Sequence, residues 1–142
     1  MLYVDTSALL PYYRSELASA VVESLLLEQS QPVQISDLTR VEFASALARW
    51  VRMAELTESQ ANRVESAFYE DVFEGRFQVA ALTRSHYERA SHWLLTRRTG
   101  LRTQDALHLA CAEVGEARLL TLNDDLRAAA AFFGVATQAF PP

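Results

Sequence analysis

The sequence predicts an α/β fold in which short parallel strands lie between helices. Three observations carry that expectation. Short apolar runs bounded by turn residues alternate with longer stretches whose apolar positions recur at helical spacing, the pattern of a sheet covered by helices on both faces. The chain has 142 residues, half of them apolar, enough for one buried core. No repeat, linker or low-complexity tract divides it, so residues 1–142 are expected to form a single domain.

Leu2-Tyr3-Val4 reads as a short buried strand, after which Ser7 can cap a helical segment that Pro11 bends or interrupts. A helix is expected from Glu16 to Gln29 through Val21, Val22, Leu25 and Leu26, then a strand over Pro32–Ser36. Asp37 to Ala54 reads as helix, with Leu38, Val41, Ala44, Ala48 and Val51 along one side. Thr57-Glu58-Ser59-Gln60 is a capping box that opens a long helix ended by Gly75, and Phe77–Ala80 follows as a third strand. A helix runs from Thr83 to about Arg98; Gly100 breaks the chain, and Thr103 caps a further helix that Gly115 stops. Arg118–Thr121 is a fourth strand, Asn123 or Asp124 caps a last helix to Phe133, and Val135–Phe140 is expected as a terminal strand.

Composition excludes several kinds of chemistry. All thirteen basic residues are arginine, so nothing that needs a lysine, such as a phosphate-binding P-loop or a Schiff base, is available. Cys111 is the only cysteine, which rules out an internal disulfide and argues against a cysteine-based zinc site. No apolar run approaches the roughly 20 residues of a membrane span, and the N-terminus lacks a secretory pattern. A cytoplasmic protein without membrane association is therefore expected. The net charge of −5 provides no global attraction for a polyanion.

Most of the eighteen acidic residues fall on polar helix faces. Asp5, Glu42, Asp105 and the Asn123-Asp124-Asp125 cluster do not: each lies just after a strand or in a helix's first turn, beside apolar sequence. In parallel α/β folds such positions gather at the carboxyl ends of the strands. Taken singly, Asp5 reads equally as a helix cap, and Glu42 and Asp105 as acids complementing helix dipoles. Taken together, carboxylates sharing one buried place raise one another's pKa, and a divalent cation relieves that conflict. An oxygen-only donor set suits Mg²⁺ or Mn²⁺, and such ions support nuclease-type phosphodiester hydrolysis.

Four stretches, YVDTSALL from Tyr3, SDLTRVEFASALAR from Ser36, LRTQDALHLACA from Leu101 and LLTLNDDL from Leu119, resemble the PIN domain of VapC-type toxins in order and content. The resemblance implies a three-layer α/β/α fold and a Mg²⁺- or Mn²⁺-dependent endoribonuclease. It further implies a homodimer held inactive by a cognate VapB-type antitoxin. It places Asp5, Glu42 and Asp105 as the first three family acids, acting as metal ligands or organisers of the attacking water. The metal is assigned to Asp5 and Asp105. The fourth acid position, two residues after Thr121, holds Asn123, which brings no charge, and Asp124 stands one residue on as a reserve. A second metal site is accordingly not expected.

Ser7 and Thr121 are placed to orient an acid or a water, or simply to cap helices. Arg97, Arg98 and Arg102, the densest basic group, read either as grips for RNA phosphates or as a solvated helix end, and Arg40 is a weaker candidate. His108, three residues after Asp105, is assigned a structural role rather than a metal or base role; His86 and His92 are expected at the surface, and Cys111 in the core. Trp50, Phe68, Tyr69, Phe73 and Trp93 are expected to pack, while Tyr12 and Tyr13 are the candidates for base stacking. A PIN-like module that binds RNA or protein without turnover is the alternative reading, favoured by Asn123. A phosphatase using Asp5 as phosphoacceptor is disfavoured by Ser7 two residues on and by the missing lysine.

Overall fold

In the computed structural model, which describes residues 1–140, the chain forms four strands and seven helices. The strands are β1 (Leu2–Val4), β2 (Val33–Ser36), β3 (Phe77–Ala80) and β4 (Arg118–Leu120). The helices are α1 (Thr6–Tyr13), α2 (Ser19–Leu27), α3 (Asp37–Arg52), α4 (Glu58–Phe73), α5 (Arg84–Thr96), α6 (Thr103–Val114) and α7 (Asp124–Phe132). All strand pairs are parallel, in the order β3-β2-β1-β4, with Tyr3 opposite Gln34 on one side and Leu119 on the other. The chain steps outward from β1 to β3 and then returns to place β4 against β1. The reversal in strand order therefore lies between β1 and β4, where parallel α/β sheets open to ligands.

Strand alternation sends neighbouring residues to opposite faces. Leu2, Val4, Val33, Ile35 and Leu120 pack beneath α1 to α4, together with Leu9, Phe43, Trp50 and Phe68. Tyr3 and Leu119 join Trp93, Leu109, Cys111, Leu126 and Ala130 from α5, α6 and α7. The result is a three-layer α/β/α arrangement, as expected. Among the described residues no helix is long and apolar enough to cross a membrane.

Several local expectations change. Asp5, not Ser7, is the N-cap of α1, its Oδ1 accepting from Ala8 N–H at 3.0 Å. Pro11 lies inside α1 without interrupting it, its fixed φ suiting a helix, and the Ser19 hydroxyl donates to its carbonyl at 2.6 Å. That same hydroxyl accepts from Glu16 N–H, holding 16–18 as a turn, so α2 begins at Ser19. At the end of α5, Arg97 takes a left-handed conformation (φ 56°), ending the helix before Arg98. Arg102 rather than Thr103 is the N-cap of α6. His86 is buried, its Nδ1 accepting from Thr83 N–H at 3.0 Å to close the N-terminal turn of α5.

The expected terminal strand reduces to one bridge, between Leu119 and Thr137. β4 is three residues long and its outer residues bond β1, through Arg118 N–H to Met1 O and Asp5 N–H to Leu120 O. Only Leu119 turns its backbone outward, to Ala136 O and Gln138 N–H, so a single pairing is all the tail finds.

Candidate active site

Asp5 leaves β1 at its carboxyl end and is 3% exposed. Both carboxylate oxygens are held: Oδ1 accepts from Ser7 Oγ at 2.7 Å as well as from Ala8 N–H, and Oδ2 accepts from Thr121 Oγ1 at 2.5 Å. Thr121 follows β4 and itself accepts from Asn123 N–H at 3.0 Å, while Leu122 N–H donates to Ser7 Oγ at 3.1 Å. Ser7, in the first turn of α1, and Thr121, just after β4, therefore meet on Asp5 beside the reversal. Burial pushes the Asp5 carboxyl above its ordinary value, and the charge of His108 and the bonds from Thr121, Ser7 and Ala8 oppose it.

Asp105 lies half-buried in the first turn of α6, and Asn123 Nδ2 donates to its Oδ1 at 3.3 Å. Asn123 caps α7, its Oδ1 accepting from Asp125 N–H at 3.0 Å and Leu126 N–H at 3.2 Å. Two backbone donors on that oxygen fix the amide's orientation and use both of its lone pairs. Asn123 thus offers a donor to Asp105 and has no carbonyl lone pair left for a cation. Asp124 does not join the group: its side chain is 93% exposed and paired with Arg127 at 2.6 Å.

Glu42 projects from α3, 29% exposed, and its Oε1 accepts from Thr6 Oγ1 at 2.7 Å and from His108 Nε2 at 2.5 Å. Burial by itself works to raise the Glu42 pKa, but the hydrogen bond and Coulomb attraction of His108, with the Thr6 bond, bring it below the ordinary value. His108 lies on α6 with both ring nitrogens engaged, Nδ1 standing 2.7 Å from the Tyr3 hydroxyl. It is not free to ligate a metal, and it contacts an acid of the site rather than merely filling the core. Thr6, like Ser7 and Thr121, supplies a hydroxyl beside an acid as the sequence suggests, whereas sequence reasoning missed the His108–Glu42 pairing and the part of Tyr3, which join residues 66 and 105 apart and leave no local signal.

Arg97, Arg98 and Arg102 are exposed and in no ion pair among the described residues. Their loop lies against α7, since a Cβ at Gly100 would stand 3.7 Å from Asp125 Cγ. Tyr12 and Tyr13 lie elsewhere: Tyr13 donates to Asp71 at 2.6 Å and packs edge-on against Phe43 and Phe68, and Tyr12 accepts from Arg76. Their rings are committed to packing, not to stacking on bases. Phe73, by contrast, is exposed rather than packed. A cavity of about 300 Å³ beside Tyr12, Val33, Arg76 and Phe77 opens at the amino ends of β2 and β3, away from the acids.

The donors at the sheet edge are hard oxygens, the kind Mg²⁺ and Mn²⁺ take. Among the described residues no three acidic, histidine or cysteine side chains are grouped tightly enough to enclose an ion. Mg²⁺ fits this arrangement, because it is commonly held by one or two carboxylates and keeps several waters. A buried carboxylate whose ionised form is disfavoured by its surroundings is also one that a cation would relieve.

The PIN domain family model matches residues 2–131, and the chain belongs to this family. FitAcB from Neisseria gonorrhoeae superposes with a TM-score of 0.74 at 16% identity, covering 98% of this chain and 97% of that one. VapC20 from Mycobacterium tuberculosis, described as a sarcin-ricin loop cleaving toxin, gives 0.70 at 16% identity over 91% and 95%. A toxin–antitoxin complex from Klebsiella pneumoniae gives 0.66 at 21% identity over 96% and 97%. At these identities the likeness is one of fold. No curated protein matches the chain in sequence.

Proposed function

We propose that this PIN domain, acting as the single domain 1–142, is a Mg²⁺- or Mn²⁺-dependent endoribonuclease of the VapC type. It is the toxin of a cytoplasmic toxin–antitoxin pair and inhibits translation by hydrolysing RNA phosphodiester bonds. The observation that carries this reading is Asp5: a buried carboxylate at the strand-order reversal, held by Ser7 and Thr121, in a member of the PIN family. The description of VapC20 as a sarcin-ricin loop cleaving toxin, and of the Klebsiella pneumoniae structure as a toxin–antitoxin complex, supports it.

Asp5 and Asp105 would hold the ion, which supplies water activation and charge stabilisation at the phosphate. Ser7 and Thr121 fix the Asp5 carboxylate, and the Asn123 amide orients Asp105. Glu42 accepts a hydrogen bond from the attacking water and takes its proton. The fourth position belongs to Asn123 rather than Asp124, which is engaged with Arg127. Arg97, Arg98 and Arg102 grip RNA phosphates. A VapB-type antitoxin and a second copy of the chain are the proposed partners.

The test is RNA cleavage by purified, antitoxin-free protein during titration with Mg²⁺ or Mn²⁺. Asp5→Asn is expected to abolish metal-dependent cleavage and growth inhibition on expression; a variant as active as the parent would sink the mechanism. One observation favours a binding module without turnover: Asn123 spends its carbonyl on a helix cap and leaves the site a charge short. RNA binding by the parent with no cleavage at any metal concentration would establish that second reading.

A further inference from the structure

His108 is 2% exposed and belongs to a chain of buried hydrogen bonds that reaches the site from behind. Tyr3, in the central strand and fully buried, places its hydroxyl 2.7 Å from His108 Nδ1 and donates to Ser36 Oγ at 3.0 Å. Ser36 is fixed in turn, its backbone N–H donating to Thr39 Oγ1 at 3.1 Å. On its other side the imidazole meets Glu42 Oε1 at 2.5 Å, with Thr6 Oγ1 donating to the same oxygen. Oε2 of Glu42 has no protein partner among the described residues.

We propose that His108 is a positioning residue for Glu42: Tyr3 sets the imidazole, and Nε2–H, with the Thr6 hydroxyl, pins Oε1 so that Oε2 alone is presented to the attacking water. The inference rests on the nuclease reading for its catalytic part, but the clamp itself is a property of the protein without metal or RNA. Burying an imidazole against a carboxylate loses hydration from both groups, and apolar side chains of similar size usually serve a fold as well or better. The pair joins a buried histidine to an acid that remains partly exposed at the sheet edge, the arrangement expected where an orientation is being enforced.

Two measurements decide it. In metal-free protein labelled with ¹⁵N-histidine, the Nε2–H proton of His108 should resonate far downfield and exchange slowly, and Glu42→Gln should move it upfield. Absence of that signal overturns the clamp whether or not the protein cleaves RNA. In cleavage assays His108→Leu should lower kcat about 10- to 100-fold with KM within about twofold of the parent. His108→Gln, which keeps an N–H near the Nε2 position, should recover most of the loss. In a Glu42→Gln background His108→Leu should have no further effect, because the histidine acts only through that acid. Additive losses, or a glutamine variant as impaired as the leucine one, would assign His108 a merely structural role. Should the leucine variant not fold, Tyr3→Phe releases the imidazole while keeping the ring, and should lower kcat severalfold without changing KM. A parent protein that cleaves nothing would count against the nuclease reading, while the imidazole proton would still decide the clamp.

Discussion

Burial acts on Asp5 and Glu42 in the same direction, yet the two carboxyls end on opposite sides of their ordinary values. At Asp5 burial wins over the charge of His108 and the bonds from Thr121, Ser7 and Ala8; at Glu42 the bond from His108, with its charge and the Thr6 bond, wins over burial. For Asp5 the folded protein holds the proton more tightly than the unfolded chain does. Its stabilising contribution is present below pH 3.8 and lost as pH rises through the raised folded value, so at neutral pH the ionised group works against the metal-free fold. Asp5→Asn should therefore raise the Tm of metal-free protein while removing activity, and Mg²⁺ should raise the Tm of the parent only. A calorimetric scan showing the variant less stable without metal would contradict this. Glu42 has the reverse sign: its contribution is in place above pH 4.5 and is lost as pH falls through the lowered folded value. The stability gap between parent and Glu42→Gln should hold at pH 6 and close in acid, as followed by urea unfolding across pH.

Short elements put these groups where they are. β1 spans three residues, and the carboxylate that ends it also caps the helix that follows, so the cap and the candidate ligand are one residue. α7 repeats the device with an amide: Asn123 closes the helix with its oxygen and turns its nitrogen toward Asp105. Asn123→Ala should cost about 1 kcal/mol of stability through the lost cap. Asn123→Asp keeps the cap but sets a second carboxylate beside Asp105. It should bind Mg²⁺ more tightly than the parent in isothermal titration, and weaker binding would show that the amide's donor role matters more than the missing charge. At its other end α6 gives way to Gly115, where a Cβ would stand 2.3 Å from Gln34 Oε1, so a side chain there would displace the Gln34 amide.

Over the full chain the net charge is −5, and Arg97, Arg98 and Arg102, in no ion pair among the described residues, are the proposed local counterweight for an RNA substrate. Charge there acts through counterion release, so its contribution is visible in salt dependence. Replacing Arg97, Arg98 and Arg102 together by glutamine should weaken RNA binding uniformly across sequences. It should also flatten the slope of log affinity against log salt by about 2, three phosphate contacts at about 0.7 each for a single strand. An unchanged slope in filter binding would leave the loop as a solvated helix end.

Periodicity and punctuation made the fold legible: the four strands and the longer helices stand close to where apolar spacing, Thr57, Gly75 and Gly115 place them. The positions of Asp5 just after β1 and of Asp105 in the first turn of α6 were legible in the same way. The misjudged residues were those whose hydrogen-bond partners periodicity does not specify, some near in sequence and some distant. Ser7 is read as a cap until Asp5 takes that role, and Asp124 as a reserve acid until Arg127 holds it outward. His108 reads as filler until strand register brings Tyr3 against one nitrogen and α3 brings Glu42 against the other, across 105 and 66 residues of sequence. Helix and strand periods are local properties of the backbone, written into the order of residues. The partner of a buried hydrogen-bonding group depends on which elements the sheet sets side by side, and only the tertiary packing decides that.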